Sequence, residues 1–513
     1  MFGSIKSLPI SKEDLRKLIP MTLMLFLISL NYSLLRTLKD SVVITAYSSG
    51  AEVIPFIKLW FMLPMAFLFT VAFTKLSNRF SQEKVTYITI STFLIFYAVF
   101  AFILYPMRDT LHLNGFADTL QSTLPAGFKG LIAAFRNWTL TFFYVMSELW
   151  GSIVLSVLFW GFANEVTKIS EARYFYSVFG IGSNISAIIA GQVGVLFSRR
   201  EFNPSIPFGK DAWEQSLIEM VIFTLILGVL VMVIFWWMNR NVLNDPTFEE
   251  LHKSTKPLKI KKKLSVRESF SYLKNSKYLL YIATLVLAYN LVIHLVEVVW
   301  KDQLRVLYPE PADYNAYMNH LTSMIGIIST ITAIFMPKII RYCGWTWTAL
   351  MTPLTMLVTS IGFFVFFFWR EHLGAMAMAY LGMTPIAIAV FFGSAQNCLS
   401  KAAKYSVFDT TKEMTFIPLP HDVKLKGKAA IDGFGSRLGK SGGSVIHQVL
   451  LMFFVTLTAS APYVAAVLMA VIFMWISATK ALGKEFQLLT HGQEVADKHE
   501  TEEAESSPQP VTT

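Results

Sequence analysis

Glu148 and Glu297 are the residues to start from, because each places a carboxylate inside a run that is otherwise almost wholly apolar. An ionisable side chain that faces lipid within a spanning helix costs about 2.5 to 3.5 kcal/mol on insertion scales, so it turns toward a cavity or a partner. At 100° per residue, Thr141, Tyr144, Glu148 and Ser152 fall on one face of a helix, and so do Asn290, His294, Glu297 and Lys301. Tyr32, Arg36, Lys39 and Asp40 share one side of an earlier run, and Lys58 follows Pro55 in AEVIPFIKLW, in a first turn that tolerates proline. A second basic group gathers Lys401 and Lys404 after Asn397, with Lys426, Lys428, Arg437 and Lys440 further on.

Cations held in a low-dielectric cavity attract an anion, phosphate above all. Carboxylates among them then have other work: hydrogen-bonding a sugar or base, or holding the lysines when the anion leaves. The plainer role for Glu148 and Glu297 is to pair with a basic neighbour and lock helices, and for Lys39 and Lys404 it is to snorkel to the interface. His294 reads as a hydrogen-bonding face residue, since no second ligand stands at a metal-binding spacing, and neither a metal nor a cofactor is expected. GFGSRLGKSGG from Gly433 resembles a phosphate loop, but the position six before Lys440 is Phe434, and no strand precedes it. Its glycines fit close helix packing instead.

These residues need long apolar helices around them, and the composition supplies them. Of 513 residues, 54% are hydrophobic and 15% charged, more apolar side chain than a soluble domain can cover. A span needs about 20 mostly apolar residues. Such runs occur near 18–36, 54–74, 85–107, 138–163, 174–197, 216–238, 278–300, 318–340, 346–369, 373–399, 439–459 and 461–479. The eleventh has a short core, VIHQVLLMFFVTL, and reaches a span's length only by borrowing 439–444, which puts Lys440 in its first turn.

The expected fold is therefore an all-α polytopic membrane protein with 12 transmembrane helices in two six-helix bundles, of the major-facilitator type. It divides into an N-tail (1–17), a first bundle (18–238), a basic linker (239–277) containing Lys261, Lys262 and Lys263, a second bundle (278–479) and a tail (480–513) ending in the disordered-looking TEEAESSPQPVTT. The net charge of +10 fits basic cytoplasmic loops rather than nucleic-acid binding, and the distribution of Lys and Arg puts both termini on the cytoplasmic side. The opening MFGSIKSLPISKEDLRK carries Glu13 and Asp14 and no small-residue cleavage site. Neither a cleaved signal nor a transit peptide is expected, which favours a bacterial inner membrane over a plastid envelope. Cys343 and Cys398 stand in no metal or disulfide spacing.

Several stretches resemble the plastid and intracellular-bacterial ATP/ADP translocases, a family unrelated to mitochondrial carriers. They are LRTLKDSVVITAYSSGAEVIPFIKLW, FYVMSELWGSIVLSVLFWGFANEVTKISEARYFYSVFGIGSN, HLVEVVWK, DTTKEMTFIPL and KLKGKAAIDGFGSRLGKSGG, and the likeness spans nearly the whole chain. The resemblance implies transport-critical charges at Lys58, Glu148, Glu297 and Lys440. It implies exchange of external ATP for internal ADP. Co-transport of phosphate would cancel the charge that such exchange moves, and the chain is expected to act as a monomer in the bilayer. Arg36, Lys39, Asn290, His294 and Lys404 are secondary cavity candidates, and Tyr144 or Trp150 would stack the base. The threefold repeat of about 100 residues that marks a mitochondrial carrier is absent. Two rival readings remain: a proton-coupled net nucleotide importer that uses Glu148 or Glu297, and a membrane scaffold or enzyme. The enzyme reading lacks a spaced nucleophile, base and orienting group.

Overall fold

The computed structural model describes residues 12–167, 169–243, 276–420, 436–506 and positions 423, 427, 428 and 431, with side chains apart from 12, 13, 169, 170, 172, 173, 405, 436, 437, 440 and 491–506. Most of the expected linker, including Lys261, Lys262 and Lys263, lies outside these residues, as do Lys426, the first part of the N-tail and the last part of the C-tail.

Each expected apolar run is helical over most of its length. In lipid every backbone N–H and C=O must be satisfied within the segment, and the helix does this. The long helices are α1 (Lys12–Ile44), α2 (Val53–Arg79), α3 (Gln82–Leu104), α4 (Trp138–Val166), α5 (Ile169–Ser198), α6 (Ala212–Leu243) and α7 (Lys277–Leu307). Two expected runs are joined in Pro311–Phe368, broken at Gly344, whose φ of 72° only a glycine adopts without strain; they are α8 (311–343) and α9 (345–368). The tenth run, expected as one continuous helix, is instead a bent pair. Arg370–Leu381 ends on left-handed Gly382, and Pro385–Ala403 restarts with Thr384 capping the Ala387 N–H and Pro385 in the first turn; together they form α10. Last come α11 (Ser436–Phe454) and α12 (Leu457–Ser506). Among the described residues nine helices are long and apolar enough to cross a membrane, ten with the bent pair, and the apolar part of α11, Ser441–Phe454, is shorter.

Part of the tail expected to be disordered is helical: α12 continues to Ser506 through KHETEEAES, whose Glu, Lys and Ala are good helix formers. The segment between α3 and α4 also holds unforeseen structure, the short helices Arg108–Leu111, Asn114–Thr123 and Lys129–Arg136.

Two compact units emerge. One comprises Met1–Ile260 together with Val298–Thr330 and His447–Ser460; the other comprises Lys261–Glu297, Ile331–Ile446 and Ala461–Thr513. The grouping departs from a simple division at the linker, because the end of α7 and the start of α8 belong with the first six helices. In that first unit α1 is central and packs on α4, α5 and α6. An aromatic cluster fastens α3 to α4: Phe100 stacks on Phe143 with centroids 4.1 Å apart, and Phe93 meets Trp150 edge-on at 5.7 Å. In the second unit Tyr289 stacks on Phe408 at 4.5 Å, and both meet Trp475 edge-on.

Candidate functional site

Within the first unit the expected cations and carboxylates form one buried network. Glu148 on α4 pairs with Lys39 on α1, Oε1 to Nζ 2.9 Å. The same ammonium donates to Asp40 Oδ1 at 2.8 Å, and Asp40 Oδ2 accepts from Lys301 Nζ on α7, also at 2.8 Å. Lys39, Asp40 and Lys301 have side chains only 2%, 3% and 2% exposed, so Lys39 does not snorkel; Glu148, at 26%, is the member open to an incoming ligand. Two cations and two anions balance in these four residues. Lys58, half-buried on α2, lies close enough for its charge to act on Glu148, and it adds a positive charge beside the balanced four. Arg36 is half-buried one turn before Lys39 and forms no ion pair among the described residues.

Local backbone departures frame these positions. Ile57–Met62 of α2, with Lys58 at its start, is π-helical, and so is Trp150–Phe159 of α4, immediately after Glu148. A π-helical turn shifts the face on which later residues lie, and such turns concentrate at functional sites. The straight polar stripe expected on α4 is therefore interrupted. Thr141 is buried and donates to the Ala134 carbonyl, while Ser152 lies exposed beyond the register change and donates to the Glu148 carbonyl.

The two aromatic candidates are enclosed. Lys39 Nζ stands 3.7 Å from the centroid of the buried Tyr144 ring, a cation–π contact worth about 2 kcal/mol when desolvated. Trp150 is fully buried, donates from Nε1 to the Ile28 carbonyl at 3.3 Å and packs against Phe93 and Tyr97. Both rings are enclosed by packing in this structure, which the sequence pattern did not reveal.

The second unit holds a looser group. Glu297 Oε2 lies 3.7 Å from His294 Nδ1, and Oε1 lies 3.9 Å from Lys401 Nζ, with all three side chains between buried and half-exposed. Lys404 is half-buried and opens the π-helical turn Lys404–Phe408, three residues after Lys401. Asn290 is buried and donates to the Val286 carbonyl of its own helix. A Cβ on Gly439 would come within 2.7 Å of Asn290 Cβ, and one on Gly443 within 2.8 Å of His294 Cβ. The glycines of LGKSGG thus let α11 approach α7, as expected. Lys440 lies in the first turns of α11 between them, and its side chain is outside the described residues.

The sequence reading placed Asp40 and Lys301 on polar faces but did not pair them, and it missed Asn315 and Asn319. Thr37 Oγ1 donates to Asn319 Oδ1 at 3.0 Å, Ser41 Oγ to Asn315 Oδ1 at 3.0 Å, and Asn315 Nδ2 to Ser198 Oγ at 2.8 Å. Two amides one turn apart at the head of an apolar run were the available signal, since buried amides also demand partners.

The chain matches the TLC ATP/ADP transporter family over residues 4–486. It is 45% identical to ADP,ATP carrier protein 1 of Chlamydia muridarum, covering 99% of this chain and 96% of the relative. It is 46% identical to the protein of the same name in Chlamydia trachomatis, over 94% and 92%. Against the chloroplastic ADP,ATP carrier protein 2 of Arabidopsis thaliana it is 39% identical over 100% of this chain and 81% of the relative. In fold it is similar to a D-xylose–proton symporter (TM-score 0.55, 12% identity, 90% of this chain and 97% of the other) and to a bacterial homologue of the iron transporter ferroportin (0.52, 12%, 92% and 99%). This is the major-facilitator arrangement of an all-α polytopic membrane protein, and by its sequence the chain belongs to the TLC ATP/ADP transporter family.

Proposed function

We propose that the protein is an ATP/ADP antiporter that takes up external ATP in exchange for internal ADP by alternating access. The observation that carries this reading is the charge network of Lys39, Asp40, Glu148 and Lys301 with Lys58 beside it, inside a chain whose relatives are named ADP,ATP carriers. Phosphate oxygens accept from Lys58 and Arg36, the cations with exposed surface, while Glu148 stays beside them to hold Lys39. Glu297 and Lys440 do corresponding work on α7 and α11.

The network revises the simplest account of strict exchange, in which bare lysines repel one another in the empty carrier. Lys39 and Lys301 are each ion-paired to Asp40, so attraction acts among these buried charges. A bound nucleotide loosens those pairs and permits the conformational change; without it the change is slow. The membrane is a bacterial inner membrane with both termini cytoplasmic, and the working unit is a monomer. ATP carries about one more negative charge than ADP, so unaccompanied exchange moves charge, worth about 2.3 kcal/mol per 100 mV, which co-transported phosphate would cancel.

The test is uptake of labelled ATP by proteoliposomes with and without internal ADP. Uptake confined to ADP-loaded vesicles supports exchange. Equal uptake into empty vesicles, stimulated by external acid, overturns it in favour of proton-coupled import through Glu148 or Glu297.

A further inference from the structure

We infer that Asp40 is an internal counter-anion whose place a nucleotide's phosphate takes, so that substrate charge releases the segment 298–330 from α1. The inference rests on the proposed transport of a phosphate-bearing substrate and adds a positioning residue to it. Asp40 is the centre of the network: one carboxylate oxygen holds Lys39 of its own helix, and the other holds Lys301 of α7. Through it, the end of α7 is tied by charge to the helix that carries Arg36 and Lys39.

Other ties between this segment and the first helices do not pass through Asp40: the Arg199 guanidinium meets His320, Nη2 to Nε2 3.4 Å, and several bonds are between uncharged groups. Asn315 and Asn319 bond Ser41, Thr37 and Ser198, Gln192 donates to Ser323 at 2.9 Å, and Ser323 donates to the Ile188 carbonyl at 2.9 Å. These groups are neutral, and an anion at Lys39 leaves them unchanged. A triphosphate or diphosphate carries several charges against the single charge of Asp40, so it competes for the two lysines on favourable terms. Its path is marked by Arg36 and Lys58, half-buried where Lys39 and Lys301 are closed off. Once a phosphate holds Lys39 or Lys301, Asp40 faces a second anion, the tie between α1 and α7 weakens, and the bonds that do not pass through Asp40 hold the segment. A neutral cargo of similar size lacks the charge to do this.

The experiment uses the full-length protein in proteoliposomes, with Cys343 and Cys398 replaced by alanine and Ser323→Cys as a reporter. Ser323 is 3% exposed and sits where α8 meets α5, so its reaction with a water-soluble maleimide reads release of the segment. With Asp40 present, labelling is slow; ATP, ADP or inorganic tripolyphosphate accelerates it at least about tenfold, and adenosine does not. In D40N labelling is fast without any anion, and ATP adds little. D40N/K301Q, which removes both charges and keeps the interior balanced, labels as fast as D40N and guards against misfolding of the single variant. Labelling of both variants as slow as the parent, or acceleration by adenosine equal to that by ATP, overturns the inference. The tripolyphosphate arm reads anion competition directly, so a parent that fails to exchange ATP for ADP yet responds to tripolyphosphate refutes the proposed function and upholds the counter-anion.

Discussion

Glu148→Gln removes the carboxylate that holds Lys39 from α4 and nearly preserves shape, so it isolates one charge. Among Lys39, Asp40, Glu148 and Lys301 the balance moves from neutral to one unmatched positive charge, with Lys39 2% exposed and its Asp40 partner shared with Lys301. Breaking a fully buried pair by removing one member costs about 3–5 kcal/mol. Because the Glu148 side chain is 26% exposed, water screens part of the pair, and the worth of a hydrogen bond to a charged group, about 1.5–3 kcal/mol, is the better figure. In the proposed exchange cycle the carrier passes through this conformation, so the loss enters the exchange rate. At about 1.4 kcal/mol per factor of ten, it amounts to roughly a ten- to hundredfold fall in ATP/ADP exchange. The assay is initial-rate uptake of labelled ATP into ADP-loaded proteoliposomes, with thermal unfolding followed in parallel to show that the variant is folded. Glu148→Asp keeps the charge and should recover part of the rate. A glutamine variant that exchanges within about threefold of the parent refutes the assignment, since one unmatched buried charge would then cost under about 0.7 kcal/mol.

Lys58→Ala should lower exchange sharply with little change in thermal stability, because Lys58 is half-buried and acts on Glu148 through its charge; near-normal counter-exchange would remove it from the site. Trp150→Ala should cost about 3–5 kcal/mol of stability, and Trp150→Phe much less, while the KM for ATP in the phenylalanine variant stays near the parent's; a large rise in KM alone would support a base-stacking role. His112, outside the membrane spans, is held below its ordinary value of 6.5 by burial and by the neighbouring Arg108, and its Nε2 lies 2.8 Å from Thr139 Oγ1. The unfolded chain therefore takes up the proton first. The stability contributed by neutral His112 is complete above about pH 6.5 and is lost as pH falls through that value toward the lower folded one. Thermal unfolding between pH 8 and pH 5 should show this slope in the parent and a shallower one in His112→Gln; equal slopes would assign the acid sensitivity elsewhere.

The amino-acid order by itself determined the helices and the residues worth asking about. Twelve apolar runs have no alternative to helix in lipid, and each charge within them stands out against its cost, so Lys39, Glu148 and Glu297 were legible from local sequence alone. Facial periodicity told which residues share a side, but only while the helix keeps 3.6 residues per turn. The π-helical turns after Glu148 and around Lys58, and the breaks at Gly344 and Gly382, alter direction in ways that hydrophobic periodicity does not encode. Partner choice lay further out of reach. Lys301 meets Asp40 across 261 positions of chain, and Thr37 meets Asn319 across 282, encounters that exist only once helices pack. The same packing turned Tyr144 and Trp150 from open aromatic faces into enclosed ones. Which helix lies beside which is decided by the summed fit of many side chains, a long-range quantity that no window of sequence contains.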